Sequence, residues 1–358
     1  MPCLSSGSTA RPVPTGSIRP HARRARRSRA ADSRKDVRQV RSRLLSPAFV
    51  ATAVIATAAL TGCGSTTENV GEEASAQGGS GSVESSSVAH AMGTTEVPAD
   101  PQRVVTLDTP HLDTALSLGV TPVGSVQSSV AEGLPGYLGD RTEGIEIVGT
   151  IEEPDLEAIA ALDPDLILSS QVRHEQIYDR LSQIAPTVFT DYEEGWQSIF
   201  TTTAEALGLA EEGEQALAEY EQQADQVGEA IGAEGATASV VRFLPDETRI
   251  YGPETFAGSV LTDVGFDLPE LEYDEYSMAY ISPEQVEQAD ADVIFSTTYG
   301  DPVATTKDAV TALWGNLEAV PDCAFEVEDD EWMLGIGLIG AEIVLDDVES
   351  FLDEGACL

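Results

Sequence analysis

Five apolar residues, Leu217, Tyr220, Ala224, Val227 and Ile231, recur at steps of three, four, three and four within residues 211–231. That spacing draws one narrow stripe down an α-helix, with Glu, Gln and Asp on the remaining faces. At 1.5 Å per residue the helix is a rod of roughly 31 Å, about the width of a small domain. A second pattern flanks it on both sides. E-A-I-A-A-L-D-P-D-L-I-L-S-S at 157–170 and E-Q-V-E-Q-A-D-A-D-V-I-F-S-T at 284–297 share E-x-[IV]-x-x-x-D-x-D-[LV]-I-[LF]-S-[ST], offset by 127 residues. Each reads as a short helix, a turn marked by Pro or Asp, and a continuous apolar run. A run of that kind suits a strand covered on both faces of a parallel sheet. The pattern predicts an α/β protein of two Rossmann-like lobes separated by the single long helix.

The rest of the chain fills in around these landmarks. The first lobe, 88–192, reads as a strand over 103–107, a helix over 112–118, a turn and loop, then strand 166–169, helix 176–184 and strand 187–190. A helical linker, 193–232, holds a helix over 196–207 and the rod. The second lobe, 233–358, reads as strands 239–243 and 249–251, helix 259–264, strand 293–296, a helix near 314–319, strand 324–327 and a terminal helix over 338–352.

Ahead of the lobes the pattern changes. Residues 1–43 carry Arg or Lys at twelve positions and acids only at Asp32 and Asp36, and an apolar run over 44–60 ends in Leu-Thr-Gly-Cys at Cys63. A basic region, a modest apolar region and small residues make an export signal over 1–62. The run is too short and too rich in Ala and Thr for a permanent span. The tetrapeptide resembles a bacterial lipobox, which implies lipidation of Cys63 and cleavage before it; several acyl chains anchor a protein stably to a membrane. Residues 63–87, beginning at Cys63, are mostly Gly, Ser, Thr, Glu and Gln with almost nothing to bury, a flexible tether spanning roughly 27 Å as a coil.

Removing the leader leaves 7 of the 19 Lys+Arg and 60 of the 62 Asp+Glu, a net charge of about −53. Nucleic acid is excluded as a partner by repulsion. Cys3 leaves with the leader and Cys63 is lipidated, so Cys323 and Cys357 remain, and an exported chain favours a disulfide between them. The sequence has no G-x-S-x-G elbow, H-E-x-x-H, P-loop or G-x-G-x-x-G after a strand, so no enzyme class is indicated. His90, His111 and His174 are widely separated in sequence, which disfavours a protein-held metal and a direct metal-ion receptor.

In α/β lobes ligands meet the carboxyl ends of strands. The residues just past those ends are Asp108, Thr109, Pro110 and His111, then Arg173 and His174, then Tyr192. In the second lobe they are Arg242 with Phe243, then Tyr251, then Tyr299. Arg173 and Arg242 offer forked, permanently charged donors for carboxylate, catecholate or hydroxamate oxygens, unless each is spent on an internal salt bridge. The tyrosines offer faces for the organic part of a ligand.

V-A-H-A-M-G-T-T-E-V-P from Val88 and P-Q-R-V-V-T-L from Pro101 resemble the opening of iron–siderophore ABC-transporter substrate-binding proteins, the ferric siderophore and vitamin B12 type. The repeated units, I-S-P-E-Q from Ile281, L-W-G-N-L-E-A-V from Leu313, Trp332 and L-D-D-V from Leu345 extend the resemblance over 88–353. It implies the helical-backbone periplasmic-binding-protein fold, two lobes joined by one long helix with a ligand cleft between them, and no intrinsic cofactor. The implied function is that of a monomeric, lipid-anchored receptor on the outer face of the cell membrane, which binds a ferric siderophore and delivers it to an ABC permease with its cytoplasmic ATPase. Glu157 and Glu284 are then the glutamates that dock on the permease, and Trp332 lies near the cleft. A corrinoid or haem carrier is the alternative within the fold; an exported hydrolase would need a nucleophile and base that do not stand out. A lone connecting helix implies a small rocking closure.

Overall fold

Two five-stranded sheets are laid down in the same order, once before and once after a long helix. The computed structural model describes residues 84–127, 133–317, 323–352 and 357–358; the export signal, Cys63 and nearly all of the tether lie outside them. A hairpin of β1 (Ser85–His90) and β2 (Gly93–Pro98) comes first among the described residues, its first strand beginning three residues before the expected lobe boundary at Val88. The first sheet has the order β5-β4-β3-β6-β7 and is parallel throughout. Its strands are β3 (Val104–Thr106), β4 (Gly124–Gln127), β5 (Glu146–Thr150), β6 (Leu166–Ser170) and β7 (Thr187–Thr190). The second has the order β10-β9-β8-β11-β12, from β8 (Ala238–Phe243), β9 (Thr248–Tyr251), β10 (Met278–Ile281), β11 (Val293–Thr298) and β12 (Ala324–Glu326). Here β8, β11 and β12 pair in parallel, whereas β9 pairs antiparallel with both β8 and β10 and is the one reversed strand of this sheet.

The sequence repeat has a physical cause. Its helices are α2 (Leu156–Ala161) and a 3-10 helix (Pro283–Ala289), and its strands β6 and β11 take the same place beside the central strands β3 and β8. The second aspartate of each unit ties that strand to the start of its neighbour. Asp165 accepts from the backbone N–H groups of Gln102 and Arg103, both at 2.8 Å. Asp292 accepts from the N–H of Thr237 at 2.8 Å and from its hydroxyl at 2.9 Å. Each carboxylate thus satisfies donors at a strand start, where no ladder partner exists.

The helices α1 (Thr109–Ser117), α5 (Trp196–Ala206), α6 (Ala210–Ile231), α7 (Phe256–Val264), α9 (Asp329–Leu334) and α10 (Leu338–Leu352) gather between and behind the sheets. Short helices α3 (Gln171–His174), α4 (Tyr178–Leu181) and α8 (Lys307–Thr311) lie at the periphery, and the first two, with a 3-10 turn between, replace the single helix expected over 176–184. The connecting helix α6 buries Tyr220, Ala224, Val227 and Ile231, four of the five stripe residues, against α7 and α10. A Cβ at Gly228 would stand 1.9 Å from the carbonyl oxygen of Val264, so glycine lets α6 and α7 cross closely. Tyr220 and Gln197 both donate to Asp263 of α7, at 2.8 and 3.1 Å, which ties α5, α6 and α7 together. Cys323 and Cys357 are joined, with Cα atoms 5.5 Å apart, holding the chain's end beside β12.

Candidate ligand site

In the first lobe β3, β6 and β7 end side by side, so the residues that follow them converge. Asp108, 2% exposed, is the hub. Its Oδ1 accepts from the backbone N–H of Thr109 at 3.0 Å, capping α1, whose second residue Pro110 needs no donor there. Its Oδ2 accepts from the Ser170 hydroxyl at 2.6 Å and the Tyr192 hydroxyl at 3.0 Å. Arg173 sets its Nε 3.8 Å from the same oxygen while 48% of its side chain stays exposed. Burial, then the Asp108 charge, pushes the Tyr192 phenol well up, so it remains a neutral donor. Arg173 also walls an open cavity of about 500 Å³ that it shares with Glu152, Glu157, His174 and Arg180.

His111 stands behind this cluster rather than in it. It is fully buried, with Nε2 3.0 Å from the Thr190 hydroxyl. Desolvation lowers its pKa to about 4, so the ring is neutral and offers no surface to a ligand. This corrects the expectation that it lines the cleft: α1 turns its side chain back under the sheet. His174 spends both ring nitrogens, on the Ser169 hydroxyl and the Ile151 carbonyl, each at 2.6 Å. The fold does bring His111 and His174 within electrostatic reach of Asp108, although they are far apart in sequence.

In the second lobe the pairing register lines up Thr297, Arg242, Arg249 and Tyr280 in one row across β11, β8, β9 and β10. Arg242, 12% exposed, forms a two-armed bridge to Asp329 at the start of α9, Nε to Oδ1 at 2.7 Å and an Nη to Oδ2 at 2.6 Å. Its other Nη donates to the Tyr251 hydroxyl at 3.3 Å, and the Tyr299 ring covers the guanidinium at 5.0 Å. Thr297 adds a bond to Asp329 at 3.0 Å. Arg249 repeats the arrangement more openly, paired with Glu247 and 5.5 Å from the Tyr280 ring.

Two expectations need correction here. Tyr251 does not sit past a carboxyl strand end, because β9 runs antiparallel and places it opposite Val240. It reaches Arg242 instead because residues 240 and 242 share a face of the sheet. Trp332 is not at the cleft surface. It is fully buried against Phe295, ring centroids 4.8 Å apart, with its indole N–H on Asp347 at 2.9 Å. It fixes α9, and through α9 the position of Asp329. Asp329, Arg249 and Tyr280 were not anticipated; the alternation of Arg249, Ile250 and Tyr251 about an inward Ile is the one signal that could have exposed Arg249.

The two walls share a floor. Asp330, next to Asp329, accepts from the backbone N–H of Gly136 at 2.9 Å, linking α9 to a 3-10 segment (Gly136–Thr142) of the first lobe. The neighbouring Tyr137 lies within electrostatic reach of both Asp330 and Tyr192. Glu157, at the rim of the Arg173 cavity, and Glu284, on the other lobe, are each exposed in the first turn of a repeat helix. Among the described residues no three His, Cys, Asp or Glu side chains converge as a metal site.

Known proteins share this architecture. The chain is 37% identical over 281 residues to the probable siderophore-binding lipoprotein YfiY of Bacillus subtilis, covering 74% of this chain and 86% of the relative. The achromobactin-binding periplasmic protein of Dickeya dadantii is 30% identical over 260 residues, 69% of this chain and 85% of that one. Among solved structures, Staphylococcus aureus SirA complexed with staphyloferrin B superposes with a TM-score of 0.68 at 33% identity, covering 75% of this chain and 98% of SirA. The family described as periplasmic binding protein matches residues 104–320, and this two-lobed chain belongs to it.

Proposed function

We propose that this protein is the substrate-binding component of an ABC importer, tethered by lipid at Cys63 to the outer face of the cell membrane, and that it carries a ferric siderophore between its lobes. The observation that carries the reading is the pair of Arg–Asp–Tyr clusters, Arg173–Asp108–Tyr192 and Arg242–Asp329–Tyr299, at the carboxyl ends of equivalent strands and linked through Asp330 and Gly136. Polar donors with aromatic faces at strand ends suit an organic chelate of moderate size. The names of YfiY and SirA in its staphyloferrin complex point to the same cargo class. Iron is held by the siderophore, so the protein makes and breaks no bond; closure is a binding event. Glu157 and Glu284, exposed at matching places in the two lobes, are the contacts offered to the permease, whose cytoplasmic ATPase drives release.

Trp332 reports on α9, so intrinsic fluorescence should respond when ligand engages Arg242. Titration with ferric hydroxamates, ferric catecholates, ferric citrate, haem, cobalamin and bare Zn²⁺ or Mn²⁺ tests the reading. Saturation by at least one ferric chelate below micromolar concentration is expected. Saturable binding of a bare metal, haem or cobalamin, with silence from every ferric chelate, would overturn it.

A further inference from the structure

In the second lobe both arginines beside the site are matched by an acid, Arg242 by Asp329 and Arg249 by Glu247. Arg242 has three of its arms engaged, two by the carboxylate of Asp329 and one by Tyr251, and its face is under Tyr299. The pair is largely desolvated, 12% and 17% exposed. An anionic group that drew Arg242 away would strand Asp329 in a half-buried place with only Thr297 as donor. Breaking one half of such a pair costs more than the new contact returns. Arg173 is held more loosely, its Nε 3.8 Å from the buried Asp108 with 48% of its side chain exposed, and Arg249 is paired with Glu247. Around them the acids outnumber the cations. The first turn of α9 carries Asp329, Asp330 and Glu331, preceded by Glu328. The exported body as a whole carries 60 acids against 7 bases. A field of that sign slows the approach of anions and steers cations inward.

Resting on the siderophore-receptor reading, we infer that the cargo is a ferric complex of zero or positive net charge, the ferric trihydroxamate class. Three hydroxamates cancel the charge of Fe³⁺, and the complex presents hydroxamate carbonyl oxygens that accept from the Tyr299 hydroxyl without competing for a guanidinium, while the Tyr192 ring, its hydroxyl held by Asp108, offers an aromatic face. A pendant ammonium would meet Asp330 or Glu331. Multiply negative citrate and catecholate complexes would have to compete with Asp329 and Glu247 for Arg242 and Arg249 within a strongly acidic body.

The test is calorimetric titration with four ferric complexes: ferrioxamine B with its free amine, the same complex N-acetylated, ferric citrate, and a ferric tris-catecholate. The two hydroxamates are expected to bind at least tenfold tighter than either anionic complex, the amine form the tighter of the two and the more weakened by salt. Asp329→Asn, which frees Arg242, should narrow the gap by raising the affinity for the anions; Asp108→Asn serves as a second variant on the other lobe if the first melts early. Tightest binding of citrate or catecholate by the native protein overturns the charge assignment and leaves the siderophore reading standing. Silence from all four overturns both.

Discussion

The carboxylate of Asp113, on α1 of the first lobe, accepts from the backbone N–H of Ile339 at 3.0 Å, at the start of α10. The next N–H, of Gly340, reaches it at 3.2 Å and the Tyr137 hydroxyl at 3.0 Å. A helix N-terminus from the C-terminal part of the chain is therefore satisfied by a residue of the first lobe. Leu112, Leu116, Leu138 and Ile339 pack around the junction as one apolar cluster. Besides the α6 connection, the lobes are thus tied at a second place. Small-angle scattering of apo and loaded protein should superimpose apart from a slight contraction, and Asp113→Ala should expand the apo form. A wide clamshell change in the native protein would contradict this.

Asp113 and His111 should bend the pH dependence of stability in opposite directions. Burial raises the Asp113 carboxyl from 3.8 to about 7 despite its three donors. The folded chain then keeps a proton that the unfolded chain releases, so this contribution is full below pH 4 and is lost as pH rises through 7. Burial lowers His111 from 6.5 to about 4, so its contribution is full above pH 6.5 and is lost as pH falls through 4. Over the shared window the slopes cancel. Asp113→Asn should expose stability that rises with pH and His111→Gln stability that falls, each by up to about 1.4 kcal/mol per pH unit. Urea denaturation between pH 4 and 7 measures it, and variant curves parallel to the native one would refute it.

The repeat aspartates are expected to be structural. Asp165→Ala and Asp292→Ala each leave backbone donors at a strand start without their acceptor, a loss of about 1–3 kcal/mol in denaturant unfolding. Ligand affinity measured well below the melting temperature should stay close to native. A selective loss of binding with unchanged stability would move them to the site.

What was legible in the chain follows from burial. β6 and β11 were found because Leu166 to Leu168 and Val293 to Phe295 are covered on both faces and so form apolar runs. α6 was found because one stripe of it is buried. β4, β5 and β10 were missed: β4 opens Gly-Ser, and the other two are edge strands with exposed Glu146, Ile147 and Tyr280. Direction was invisible, since nothing in Thr248 to Tyr251 distinguishes an antiparallel neighbour from a parallel one. The strand-end rule located Arg173, Tyr192, Arg242 and Tyr299 but could not foresee that Asp108 and Asp329 would claim the arginines. Asp329 arrives from α9, 87 residues after Arg242, through tertiary packing alone.

Glu157→Ala and Glu284→Ala should separate delivery from binding. Both side chains are exposed and neither forms an ion pair among the described residues. Affinity for a ferric chelate and melting temperature should be native, while uptake of labelled iron by cells carrying either variant falls severalfold. Native uptake by the double variant would remove these residues from the permease contact.

A ferric chelate is expected to sit between the Tyr192 and Tyr299 clusters, which calorimetry on native, Tyr192→Phe and Tyr299→Ala proteins can establish. Neither substitution removes an arginine or its carboxylate partner, but Tyr192→Phe takes one donor from the buried Asp108 and should cost about 1–3 kcal/mol of stability, so binding is measured well below the melting temperature. One ferric complex per chain is expected in the native protein, and affinity at least tenfold weaker in each variant, about 1.4 kcal/mol. Unchanged affinity in both variants, with the native protein still binding one complex, would place the ligand elsewhere and contradict the account.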